Sequence, residues 1–136
     1  MPAAFEEIQA FIAARLTQPV VEHTETDGTH VLTGGNPPEV VVRITPVSVV
    51  VGEYSMRWEG PLTVRVRPII IGSVRWGRVS IEGAMQAIAA LITAARNVRI
   101  AKFRNCAICG ERNAPEWMHD DTICEGCAEG HFDVVH

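Results

Sequence analysis

Glu39-Val40-Val41-Val42-Arg43-Ile44-Thr45-Pro46-Val47-Ser48-Val49-Val50-Val51-Gly52-Glu53-Tyr54-Ser55-Met56-Arg57-Trp58 is the stretch on which the fold turns. It is dense in β-branched side chains, which are stiff at χ1 and suit a pleated surface better than a helix. Two strands are expected, Glu39 to Thr45 and Val47 to Trp58, with Pro46 at a bend or bulge between them because proline has no N–H to give to a ladder. Upstream, Val20-Val21 leads to Asp27-Gly28, a favoured hairpin turn, and Thr29 to Thr33 reads as the returning strand. Gly34-Gly35-Asn36-Pro37-Pro38 then breaks the pattern. Downstream, Glu59-Gly60-Pro61 is a further turn. Leu62 to Ile71 and Val74 to Ser80 read as strands joined by a type II′ turn at Gly72-Ser73.

That last turn sets a register: Ile71 faces Val74, Ile69 faces Trp76 and Arg67 faces Arg78. Arg65, Arg67 and Arg78 then share one face, and Val64, Val66, Ile70, Val79 and Ile81 the other. Like charges directly opposed cost stability. The arginines therefore call for a carboxylate or an anionic ligand, and we favour an intramolecular carboxylate, since surface arginines commonly pair.

Helices bracket the strands. From Pro2 to Leu16, Phe5, Ile8, Ile12 and Leu16 recur at spacings of three and four, with Glu6, Glu7 and Arg15 off the stripe. Pro2 suits a first helical turn, and the two acids lie at the positive end of the helix dipole. Ser80 is an expected N-cap. The helix after it, to about Phe103, carries Met85, Ile88, Ile92 and Ala95 as its apolar stripe, with Ala84 and Leu91 beside it. Arg96, Arg99, Lys102 and Arg104 gather at its C-terminal end, where positive charge complements the dipole. Residues 1–103 thus read as an α+β domain: an antiparallel sheet flanked by an N-terminal and a long C-terminal helix, both on one sheet face. Residues 104–136 form a separate small module.

The chain of 136 residues, 47% apolar and 21% charged, has ordinary globular composition. Met1-Pro2-Ala3-Ala4-Phe5-Glu6-Glu7 lacks the basic start of a signal peptide, and no run of eighteen apolar residues suggests a membrane span. A cytoplasmic location is expected, where cysteines stay reduced and paired ones serve metals more often than disulfides. The net charge of −4 is unevenly spread. Residues 1–56 carry a net −5, residues 57–104 a net +7 and residues 105–136 a net −6. Either a basic binding face lies between acidic flanks, or the segments neutralise one another on folding. We favour the second.

Cys106-Ala107-Ile108-Cys109 and Cys124-Glu125-Gly126-Cys127 are two CxxC pairs with fourteen residues between them. Two cysteines three apart in a tight turn put both sulfurs on one side, and two such turns complete a tetrahedron. The spacing points to Zn²⁺ held by Cys106, Cys109, Cys124 and Cys127. Four thiolates leave no open position, so the site is expected to be structural and not catalytic. Gly110 lets the backbone fold back and give N–H groups to the sulfurs. The metal would supply the module's folding energy, of order 10 kcal/mol or more.

On CAICGER and the second CxxC, residues 103–131 resemble zinc-ribbon and treble-clef modules. A β-turn at Cys124–Cys127 implies the ribbon, which we favour. A short helix through Ala128-Glu129-Gly130-His131-Phe132 would imply the treble clef. His119, His131 and His136 lie near the cysteines, and His131 is the reserve ligand for a Cys₃His site. Trp117 and Met118 are expected to pack over the cluster.

No GxSxG, P-loop, HExxH or dinucleotide fingerprint is present. The nearest enzymatic pattern is a nuclease of the HNH type built on His119-Asp120-Asp121. Only four residues separate His119 from Cys124, too few for the usual hairpin, and the module is acidic where phosphates would have to be gripped. His23 and His30 have no carboxylate or nucleophile partner in sequence. The sequence therefore points away from an enzyme.

Two functions fit. The first is a protein-binding module: an adaptor, an inhibitor or an immunity protein that blocks a toxin, an analogy of character and not of motif. The second is nucleic-acid binding through Arg65, Arg67, Arg75, Arg78, Arg96, Arg99, Lys102 and Arg104, with Trp58 and Trp76 for stacking. The net negative charge favours the first. The edge strand, and with it the oligomeric state, is not assigned by sequence.

Overall fold

A computed structural model describes residues 3–76 and 78–132. Pro2, the expected first helical residue, and His136 lie outside them. Helix α1 (Ala3–Arg15) precedes strands β1 (Val20–Thr24), β2 (His30–Gly34), β3 (Val40–Ile44) and β4 (Val49–Glu53). A short ribbon follows, β5 (Met56–Trp58) and β6 (Val64–Val66), then β7 (Ile69–Val74) and the long helix α2 (Ile81–Ile100). The C-terminal module consists of β8 (Arg104–Asn105), β9 (Arg112–Asn113), a 3₁₀ turn at Pro115–Trp117 and helix α3 (Glu125–Phe132). No helix among the described residues is long and apolar enough to cross a membrane.

The main sheet is antiparallel in the order β1-β2-β3-β4-β7, with both long helices on one face. Register explains which side chains meet them. The row Leu32, Val42, Val51 and Gly72 faces the helices, as do His30, Ile44, Val49 and Val74, and then Gly34, Val40 and Glu53. Phe5, Ile8, Ile12 and Leu16 of α1 and Ala84, Ile88, Ile92 and Ala95 of α2 complete the core, as their periodicity predicts. Ser80 caps α2 as expected, its Oγ accepting from the Gly83 N–H at 3.0 Å. Asp27-Gly28 is the β1–β2 turn, Gly28 having φ +89° and the Asp27 carboxylate accepting from the Thr29 N–H.

The expected hairpin at Gly72-Ser73 does not exist. β7 runs straight through both residues and pairs with β4, with a bulge between Val51 and Gly52. Gly72 serves packing instead: a Cβ there would lie 2.7 Å from Leu91 Cδ2, so its absence lets α2 settle on the sheet. The Arg67–Arg78 opposition vanishes with the turn. Arg57 faces Arg65 instead, in the β5–β6 ribbon.

The stretch from Val47 to Trp58 is not one strand either. Pro46 sits in the β3–β4 turn, closed by the Thr45 N–H donating to Ser48 O at 2.9 Å, and the chain leaves the sheet after Glu53 to start the ribbon. Trp76, expected on a strand face, is buried in the core, and its Nε1–H donates to Thr45 O at 3.1 Å.

Candidate metal centre and the adjoining surface

The C-terminal module is built around the four cysteines. β8 and β9 form a small hairpin whose tip is the first CxxC turn, closed by the Gly110 N–H donating to Cys106 O at 2.9 Å. Gly110 sits at φ +77°, a conformation glycine adopts without steric cost. Ala107 N–H donates to Thr122 O at 2.7 Å, which brings the loop before the second pair against the first. That loop is shaped by Asp120, whose carboxylate accepts from the Thr122 and Ile123 N–H groups at 2.8 and 3.0 Å and from the Thr122 hydroxyl. These bonds, the Thr122 N–H first, hold Asp120 below the usual carboxylate range.

Cys124 stands at the start of α3, its carbonyl accepting the first helical bond from Ala128 N–H at 2.9 Å, and Cys127 lies in the first turn. The expected β-turn at Cys124–Cys127 is therefore replaced by a helix, the arrangement tied to the treble-clef alternative. Gly126 and Gly130 weaken the helical signal in sequence. The positive end of α3 lies at the sulfurs and favours thiolates there.

The four sulfurs all lie within 4.8 Å of one another. Cys109 Sγ and Cys124 Sγ are 3.8 Å apart, and a tetrahedron with metal–sulfur bonds of about 2.3 Å has an edge of about 3.8 Å. Cys106 Sγ faces the N–H groups of Ile108, Cys109 and Cys124 at 3.4, 3.5 and 3.4 Å. The Cys124 N–H and then the Cys109 N–H lower its pKa to about 6. Burial and the neighbouring thiols push Cys127 up to about 12. Thiolates this close repel, and a cation at their centre removes that repulsion. Cys106, Cys109, Cys124 and Cys127 can thus hold a metal ion, and the all-sulfur donor set suits a soft or borderline one. The side chain of His131, the reserve ligand, lies outside the described atoms.

The module is joined to the sheet domain through Arg99. This side chain, at the end of α2, is only 1% exposed. Its Nη1 and Nη2 donate to both oxygens of Glu116 at 2.6 and 3.0 Å, and its Nε donates to Pro38 O at 3.0 Å. The guanidinium lies over Tyr54 and Phe103, and Arg112 covers Phe103 as well.

Several of the other candidate cations also have partners within the chain. Arg96 pairs with Glu39 at 3.1 Å and Lys102 with Glu53 at 2.7 Å, while Arg65 and Arg67 share Glu59 at 3.2 and 2.9 Å. Arg104 Nη1 donates to the carbonyls of Ala101 and Phe103. Glu39, Glu53 and Glu116 thus tie the acidic flanks to the basic segment, and five of the nine cations in residues 57–104 meet intramolecular carboxylates. Arg75 and Arg78 have no ion pair among the described residues. Trp76, buried, cannot stack on a base. Glu59 was findable in sequence, being the sole acid between Glu53 and Glu82. Glu116 was not, because nothing local marks it as a partner.

Beside the metal centre lies the β5–β6 ribbon. Met56 and Trp58 pair with Val66 and Val64 on one face, and Arg57 with Arg65 on the other. Trp58 meets Trp117 of the module edge to face at 6.1 Å, yet the two remain 48% and 46% exposed. Leu62 at the tip is 91% exposed. Compared with known proteins, the chain matches no family model, no curated protein and no solved structure.

Proposed function

We propose that the protein is a non-enzymatic binding module, an adaptor or an inhibitor of the toxin-immunity kind, whose C-terminal part is organised by a structural Zn²⁺ on Cys106, Cys109, Cys124 and Cys127. The observation that carries this reading is the exposed apolar surface of Trp58, Leu62, Val64, Val66 and Trp117 on the ribbon and the module. Clustered exposed aromatic and aliphatic groups rimmed by charge are a feature of protein-contact sites. Nucleic-acid binding draws on free cations, and most of the basic cluster is already paired with Glu39, Glu53, Glu59 and Glu116. Reduced metal-binding thiols suit the cytoplasm.

Affinity capture from native-host lysate, with and without nuclease and read by mass spectrometry, tests the reading. One stoichiometric protein retained after nuclease treatment is expected. Recovery of nucleic acid, or of proteins lost on nuclease treatment, would turn the assignment to the nucleic-acid alternative.

A further inference from the structure

Between the ribbon and α3 lies a groove of about 570 Å³ with two unlike walls. Trp58, Gly60, Pro61 and Leu62 form the ribbon wall, and Glu125 and Glu129 the helical wall. Gly60 at φ +93° gives the tip its tight turn, and Glu59 N–H closes it by donating to Thr63 O at 2.7 Å. Glu125 and Glu129 lie one helical turn apart on one side of α3, where like charges repel. Neither has an ion pair among the described residues. No ion pair among the described residues offsets the repulsion, and a cation between the two would relieve it. Four thiolates around a dication carry excess negative charge, so a filled metal centre strengthens the same preference. The volume admits a few side chains.

We propose that this groove docks a basic, apolar-flanked segment of a partner protein. A lysine or arginine head sits between Glu125 and Glu129, and its stem and an apolar neighbour lie across Trp58 and Leu62. A cation beside an indole gains cation–π attraction, and long basic side chains cover apolar surface with their stems while the head stays charged. The proposal rests on the protein-binding reading and names the chemistry of the partner. Nucleic acid is repelled by the same carboxylates. The ribbon's own Arg57 lies on the opposite face from Trp58, so a second copy docking through it would be head to tail and would propagate instead of closing.

The test uses the full-length chain loaded with zinc, uniformly ¹⁵N-labelled, titrated with a peptide of alternating leucine and arginine and with the same peptide carrying glutamate for arginine. The arginine peptide is expected to shift the Trp58 indole and the Leu62, Glu125 and Glu129 amides, and to bind more weakly as salt rises. The double variant Glu125→Gln/Glu129→Gln should weaken it about tenfold, and Leu62→Ser should weaken it by a similar factor without touching the core. The proposal is overturned by absent binding, by equal binding of the glutamate peptide, by variants that bind as well as the parent, or by shifts confined to other surfaces. Groove resonances that move with protein concentration alone would identify a second copy as the occupant and overturn it too. Lysate capture with these variants separates the two levels. A protein partner kept by both variants leaves the protein-binding reading standing and removes the groove, whereas capture of nucleic acid alone removes the reading itself.

Discussion

Arg99 shows how much one side chain can hold. It is buried, forked onto Glu116, bonded to the Pro38 carbonyl and set over the rings of Tyr54 and Phe103. Arg99→Ala would leave the largely buried Glu116 without its cation, and removing one partner of a buried pair costs about 3–5 kcal/mol. Urea unfolding of the variant should show a loss of that size, and a change under about 1 kcal/mol would mean that the pair is well solvated. Lysine offers a point charge and not a fork, so Arg99→Lys should recover only part of the loss.

Single glycines act through what they leave out. A Cβ on Gly34 would come 2.7 Å from Leu16 Cβ and 3.0 Å from the Thr17 carbonyl oxygen, atoms with little room to move. Gly34→Ala should therefore destabilise by about 1–3 kcal/mol in the same assay, the ordinary cost of overpacking. The Gly72 clash is with the end of a leucine side chain, so there a smaller residue at Leu91 should relieve it.

At the scale of elements, what sequence revealed and what it hid divide by locality. The α2 stripe, the Ser80 cap and the Asp27-Gly28 turn rest on residues a few positions apart, and each stands where the pattern puts it. Ser80→Ala should cost about 1 kcal/mol, seen as a fall in the thermal midpoint with the far-ultraviolet spectrum unchanged. Gly72-Ser73 has the local signature of a hairpin, but its glycine answers to Leu91 on another element. Helix α3 stood only as the treble-clef alternative for a related reason: two glycines in eight residues make a poor helix, and the sulfur cluster at its start is assembled from residues distant in sequence. The CxxC spacing singled out the four cysteines that the fold brings together, because sulfur geometry in a tight turn is local, while Glu116, Glu39 and Glu53 found their cations only through the fold.

The ribbon carries its own pH dependence. The Arg67 hydrogen bond first, and the Arg65 charge after it, hold Glu59 below the usual glutamate range. A lowered folded-state pKa means that the contribution is fully present above the ordinary glutamate pKa and is lost as pH falls through the lowered one. Protection factors of the β5 and β6 amides, corrected for the intrinsic exchange rate, should fall across that acidic window, and Glu59→Gln should remove the dependence.

At the scale of the whole molecule, the sheet and its two helices share a packed core, and on our proposal the C-terminal module draws its stability from a metal on the four cysteines. Cys109→Ser or Cys124→Ser should unfold the module, α3 included, while the sheet signal persists in circular dichroism. The sheet domain would not be untouched, because Arg99 then loses Glu116, and its unfolding midpoint should fall as well. Loss of the entire sheet signal would show that the two parts fold as one.

The groove, the Trp58–Trp117 contact and the Arg99–Glu116 fork all need the module folded about its four sulfurs, so X-ray absorption at the zinc edge of the purified full-length chain bears on the account most directly. We predict one zinc per chain in a shell of four sulfurs at about 2.3 Å. A shell of nitrogen and oxygen donors, or a metal-free chain whose α3 amides are nonetheless protected from exchange, would contradict it.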